Sequence, residues 1–257
     1  MQVERIHYGS ADRQRMKGYQ IIGKSAGIDG TLAGEFCKWA PSHSSLEIAE
    51  SQDEVDAWGL SYFPLGQTHV AIGRSIHGGP EYSGRGGLAV VTSALVMTRK
   101  QFAEYQFHAV DVARTAIALG YLTLPLNQED VLDAARMTGK PISLPMPQSD
   151  FMDQTEALLP SHVTRWVARE TCSLLRDGRK LMIVGPCDPL PVLTTLLDEL
   201  KPAERSGISF ACGIKFSNRR DFRLQFTFES MTAKLRKELD RAGITAIDLA
   251  QVLMESA

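Results

Sequence analysis

The sequence predicts an α/β (α+β) protein: a mixed sheet, carrying a C-terminal antiparallel hairpin and flanked by helices. Three observations predict it. WGLSYFPLGQTHVAIGRS, at 58–75, sets apolar runs on either side of Gly66-Gln67, and the ready positive φ of glycine suits a tight hairpin turn there. LAVVTSALVMT, at 88–98, is a nearly continuous apolar run that suits a strand buried on both faces. Toward the end, Ile208, Phe210, Cys212, Ile214 and Phe216 alternate with Ser209, Ala211, Gly213 and Lys215. The alternation resumes after 217–221 with Phe222, Leu224, Phe226 and Phe228, which reads as a hairpin over 207–229 with Arg223, Gln225 and Thr227 facing out.

The other elements follow in chain order. VERIHY and GYQIIGKSAGI read as two short strands joined by a polar loop at 9–17. Leu32, Phe36 and Trp39 recur at helical spacing, and Pro41 stops that helix. Thr98 opens a helix with a full set of start signals: its hydroxyl as cap, Gln101 as capping-box partner, and Met97 placed to staple onto Phe102. Tyr105, Val110, Ala113 and Ile117 continue the apolar face, with a break near His108 and an end at Gly120. Asn127 caps a further helix that ends by Gly139. Val163, Val167, Thr171 and Leu174 mark a helix closed by Gly178, KLMIVG is a buried strand, and Asp188-Pro189 opens the next helix. Leu235 and Leu239 lie on a charged helix ending at Gly243, and Ile244-Thr245 with Asp248 and Leu249 caps a last amphipathic helix.

A chain of 257 residues with 44% hydrophobic content can bury a full core without staples. We read 1–257 as a single α/β domain, with the proline-punctuated PISLPMPQS near 140–150 as a crossover between an N-terminal and a C-terminal subdomain. A formal charge of −2 gives no global pull toward nucleic acid or an anionic membrane, and no window is apolar enough to span a bilayer. MQVERIHYGS is charged where a signal peptide needs an apolar core, which points to the cytoplasm. Cys37, Cys172, Cys187 and Cys212 are widely spaced, as buried reduced thiols would be, and neither they nor the six scattered histidines form a metal motif.

Three regions carry candidate chemistry. LMIVGPCDPLPVLTTLL is a strand, a turn and a helix whose first amides suit an anion at Cys187 and Asp188 or a lowered Cys187 pKa; the plainer reading is Asp188 as N-cap and Pro189 as first helical residue. Arg74 and Arg85 bracket a glycine-rich loop able to cradle a phosphate or carboxylate, unless Glu81 pairs with either arginine. Arg219, Arg220 and Arg223 head the most basic stretch, but the interleaved aromatics lie on the opposite strand face and fill the core, so nucleic acid is disfavoured. No Ser-His-Asp order, nucleophile elbow or phosphate-loop lysine completes a catalytic set: Ser83 and Ser93 have no helper that sequence assigns, and no cofactor is implied.

The early strand before GYQIIGKSAGI, the passage from SYFPLGQTHVAIGRS into SGRGGLAVVTSALVMT, the helix-rich middle and LLDELKPAERSGISFACGIKF together resemble the N-terminal domain of the GTPase-associated protein family of bacterial conflict systems. Family members carry an aromatic and a histidine in the strand after the glycine-rich loop, where this chain has LAVVTSAL with Ser93. The resemblance implies a non-enzymatic adaptor or regulatory component with a protein partner, a small GTPase. The alternative is an enzyme or ligand sensor that binds a phosphate- or carboxylate-bearing small molecule at the glycine-rich loop.

Overall fold

The computed structural model describes residues 1–13, 16–48, 53, 56–81, 87–123, 139–146 and 159–255. Among the described residues ten strands form one mixed sheet: β1 Gln2–Arg13, β2 Met16–Lys24, β3 Trp58–Leu65, β4 His69–Pro80, β5 Leu88–Thr98, β6 Ile142–Ser143, β7 Lys180–Val184, β8 Phe210–Cys212, β9 Leu224–Thr227 and β10 Ile244–Asp248. The lateral order is β10-β7-β9-β8-β3-β4-β5-β1-β2, with β6 paired to β1. From β2 to β8 every neighbouring pair is antiparallel, and from β8 to β10 every pair is parallel. The sheet therefore joins a meander-like half to an α/β half along β8.

Helices cover both faces. They are α1 Gly30–Trp39, α2 Arg99–Glu104, α3 Ala109–Ala118, α4 Ser161–Arg176, α5 Pro189–Glu199, α6 Pro202–Arg205, α7 Ala233–Ala242 and α8 Leu249–Glu255. On one face α2 to α5 and α8 bury Leu60, Ile72, Leu95, Leu181 and Phe226 in a single core. On the other, Phe36 of α1 packs over Phe63 and Ala71, while Leu239 of α7 covers Met182 and Val184. Burial on both faces explains why β5 reads as an unbroken apolar run. Among the described residues no helix is long and apolar enough to cross a membrane.

Local signals held where they were strongest. Gly66 sits at φ +60° in the β3–β4 turn, and Leu65 faces His69 across it. Thr98 caps α2 in a complete capping box with Gln101. The break at His108 is real: Gln106 and Phe107 take positive φ, and His108 then caps α3 by accepting from the Asp111 amide. The described part of the 9–17 stretch differs from its reading as a loop, because 9–13 belong to β1 and 16–17 to β2, with Gly9 opposite Gln20 and Ala11 opposite Gly18. Small and polar residues there show no hydrophobic period, yet the ladder satisfies their backbone, and Gln20 Nε2 adds a bond to Ala11 O at 2.9 Å. The helix expected at 127 lies outside the described residues, and of the 140–150 crossover the described part, 140–146, contains β6, with Ile142 beside Val3.

The C-terminal pair of strands is the main correction. Phe210, Ile214, Phe222 and Phe226 are all buried as the alternation required, but β8 and β9 are parallel neighbours, Phe210 opposite Leu224, and not a hairpin. The reason is Gly213. It stands at φ +65°, and a Cβ built on it falls 2.1 Å from the Trp58 carbonyl oxygen, so the chain leaves the sheet at a point only glycine can occupy. Ile214 then bridges Leu46, Lys215 N donates to Ser45 O at 2.8 Å, and 213–223 carries the chain back to start β9 in the same direction. Gln225 and Thr227, expected to face solvent, are buried because the second face is covered as well.

Candidate functional site

Register, more than sequence proximity, assembles the polar centre of the molecule. Ser93 of β5 lies between His7 of β1 and Arg74 of β4, each its direct cross-strand partner, so the three side chains form a row on the face covered by α2 to α5. His7 Nδ1 is 2.7 Å from Ser93 Oγ, and both residues are buried. Burial, with a smaller contribution from the positive charge of Arg5, pushes the His7 imidazole down to about 4. It is therefore neutral at physiological pH. Arg5, two residues along the same strand face, is also desolvated, and its Nε has no hydrogen-bond partner among the described residues.

His7 is the helper for Ser93 that no sequence pattern could assign, since 86 residues separate the two. A serine bonded to a neutral histidine is the first half of an activated nucleophile. Here the pair is closed to solvent, at 1% exposure for Ser93 and 3% for His7, and it ties β1 to β5 inside the core.

Next in the row, Arg74 reaches an opening. A cleft of about 210 Å³ is lined by Trp58 and Leu60 of β3, Arg74 of β4, Val110, Ala113, Arg114 and Ile117 of α3, and Leu190 at the start of α5. Its walls are apolar apart from the two guanidiniums. Arg74 Nη1 donates to Leu122 O at a long 3.4 Å, and burial pushes its pKa down from the ordinary value. Arg114 Nη2 donates to Thr194 Oγ1 at 3.2 Å, which links α3 to α5 beside the cleft. The structure thus brings Arg74 to the helix that Asp188 opens, a grouping the sequence offered only as separate motifs.

Cys187 and Asp188 take the plainer of their two readings. Asp188 caps α5 by accepting from the Leu190 amide at 3.0 Å, with Pro189 as the first helical residue. The thiol of Cys187 is buried, and desolvation, reinforced by the nearby Asp188 charge, pushes it up to about 12. Burial therefore acts against a lowered thiol pKa, the other branch of the sequence reading. Close by, Glu47 is a buried carboxyl whose Oε2 accepts from the Phe228 amide at 2.8 Å. Burial raises it to about 7 against the opposing Phe228 and Thr227 bonds, and Glu229 adds to the rise.

The remaining sequence candidates are dispersed. The Glu81 carboxylate, largely buried, lies 2.7 Å from His43 Nδ1, and Arg74 is not its partner; Arg85 lies outside the described residues. Arg219 is exposed in the 213–223 crossover. Arg220 Nη2 donates to Lys215 O at 2.7 Å, and Arg223 donates to Leu175 O at 2.6 Å and Gly207 O at 3.4 Å, so both brace backbone turns. Among the described residues no group of three or more His, Cys, Asp or Glu side chains is placed to hold a metal ion.

Residues 2–130 match the family described as GTPase-associated protein 1, N-terminal domain type 2. No curated protein and no solved structure matches the chain.

Proposed function

The chain belongs to the GTPase-associated protein 1, N-terminal domain type 2 family, and from that membership we propose that it serves as a non-enzymatic adaptor or regulatory component working with a small GTPase in a bacterial conflict or signalling system. The observation that carries the proposal is the extent of the match, which takes in β1 to β5 and α1 to α3, most of the antiparallel half. The fate of the reactive groups supports it. Cys187 is held as a neutral thiol, and Ser93 and His7 are spent on each other inside the core. The polar groups that reach the surface are suited to recognition.

We place the partner surface on the 74–87 segment with Arg85, which takes in the end of β4 and leads to β5, because arginine supplies strong interface anchors. The test uses the full chain immobilised as bait against the GTPases of its native host, followed by titration of the recovered GTPase in its diphosphate- and triphosphate-bound forms. The expected result is saturable binding that differs between the two nucleotide states and weakens in Arg85→Glu with the melting temperature unchanged. Equal absence of binding in both states refutes the GTPase reading. Unchanged affinity in Arg85→Glu removes this segment and leaves the exposed Arg219 as the next candidate.

A further inference from the structure

We propose that the cleft between β3–β4, α3 and the start of α5 is a binding site for a small amphipathic carboxylate: a compact aryl or branched alkyl body seated on Trp58, Leu60, Val110 and Ile117, with its carboxylate on the Arg74 guanidinium. The proposal stands apart from the GTPase reading, since it concerns the isolated chain.

The head group follows from Arg74. A guanidinium presents five N–H donors in a planar fork and does not give up its charge. Among the described residues, Arg74 makes one hydrogen bond, the 3.4 Å contact to Leu122 O, and has no carboxylate within 4.0 Å. A half-buried cation with most of its donors unused inside an apolar cleft is complementary to one anionic, planar acceptor, which forms the bidentate pair arginine favours. Arg176 grips Glu204, and Arg205 and Arg223 are committed to backbone carbonyls, while Arg5 and Arg220, whose Nε atoms have no hydrogen-bond partner among the described residues, do not line the cleft.

The body follows from the walls and the size. Apart from Arg74 and Arg114, which is bonded to Thr194, the walls offer no donor or acceptor side chain except the Trp58 ring nitrogen, so the hydroxyls of a sugar or a cationic group find no acceptor there. A cavity of roughly 150 Å³ holds a benzene ring, so about 210 Å³ takes a ring with a short acid arm. A nucleotide belongs in the larger pockets typical of drug-sized ligands, about 300 Å³ and upward, so a smaller acid is the better fit to this cleft.

Its position gives the site a consequence. Arg74, Val110 and Ile117 belong to the antiparallel half, and Leu190 to the α5 crossover of the parallel half, so a bound acid would touch both.

The experiment is calorimetric titration of the full chain with phenylacetate, 2-phenylethanol and phenyl phosphate, on wild type, Arg74→Met and Ile117→Trp. Arg74→Met keeps the aliphatic stem and removes the fork, while Ile117→Trp fills the cleft from a partly exposed position and spares the core. We expect saturable phenylacetate binding at least about 10-fold tighter than 2-phenylethanol, the increment of one charge-assisted pair. In Arg74→Met that preference disappears while 2-phenylethanol binds as before, and in Ile117→Trp both are lost. Equal affinity for the acid and the alcohol, or an undiminished preference in Arg74→Met, overturns the assignment of the head group. Tighter binding of phenyl phosphate than of phenylacetate overturns the carboxylate, and no saturable binding of any probe to folded wild type overturns the site.

Discussion

Replacing Glu47 by Gln should make the protein more stable at pH 8 and leave it little changed near pH 4.5. Glu47 is buried, its carboxyl raised from 4.5 to about 7, chiefly by desolvation and then by the charge of Glu229, against the bonds from Phe228 and Thr227 and the attraction of Lys215. Because the folded-state value is the higher, the folded protein holds the proton more tightly than the unfolded chain. The associated stability is fully present below pH 4.5 and is lost as pH rises through 7. The rise from 4.5 to about 7 corresponds to about 3 kcal/mol. Gln keeps an oxygen to accept from the Phe228 amide and carries no charge at any pH, so the variant escapes the loss. The difference must be read against wild type, because His7 works in the opposite direction: lowered from 6.5 to about 4 by burial, it contributes stability that is present above 6.5 and lost as pH falls toward 4. Between those values the two effects largely cancel in the parent protein and are exposed only by removing one. Thermal melts of both proteins from pH 4.5 to 8 measure the gap, expected to open to between 6 and 12 °C for a chain of this size, on the order of 2 to 4 °C per kcal/mol. A gap that stays constant with pH, or that opens on the acid side, refutes the argument that a buried, desolvated carboxyl sits beside β9.

Four further outcomes follow from the same structure. His7→Asn should reduce the acid-side loss of stability between pH 6.5 and 4, read from melts across that range; an unchanged acid limb would mean that His7 is not held neutral in the core. A thiol-reactive chromogen should label Cys37 in the native protein and Cys172, Cys187 and Cys212 only after denaturation, since only the first is exposed; fast native labelling of Cys187 would restore the reactive-thiol reading. Gly213→Ala should destabilise by about 3 kcal/mol or more in denaturant melts, combining positive-φ strain with a backbone clash, whereas Gly66→Ala, at a similar φ with open space around it, should lose about 1 kcal/mol. Thr98→Ala should lose about 1 kcal/mol with the fold unchanged by circular dichroism, because the capping box satisfies two amides at the start of α2.

How far the sequence could be read depended on the range over which each feature is determined. The Thr98 cap, the Gly66 turn, the Asp188-Pro189 start and the double burial of β5 are decided within a few residues, and each was visible. The pairing of β8 and β9 is decided by Gly213 meeting Trp58, a contact across some 150 positions, and alternation of period two is the same for either strand direction. The family resemblance was legible because it rests on the order of local segments, and the match over 2–130 bears it out.

The candidate site illustrates the same limit from the other side. Antiparallel pairing places His7 and Arg74 on either flank of Ser93, and moving β1 by one residue against β5 would turn His7 to the opposite face and bring a neighbour such as Ile6 or Tyr8 in its place. Neither the histidine nor the arginine carries a local signature, because a polar residue inside an apolar strand looks the same whether it is paired or aimed at a ligand. What distinguishes them is what each meets across the sheet. His7 finds Ser93 at 2.7 Å and is satisfied, while Arg74, one strand further on, meets Leu122 O at 3.4 Å and the mouth of an apolar cleft. Of the polar residues in this row, the arginine is the one whose hydrogen-bonding capacity exceeds what the described protein supplies, and for that reason it is the residue on which a ligand should register first.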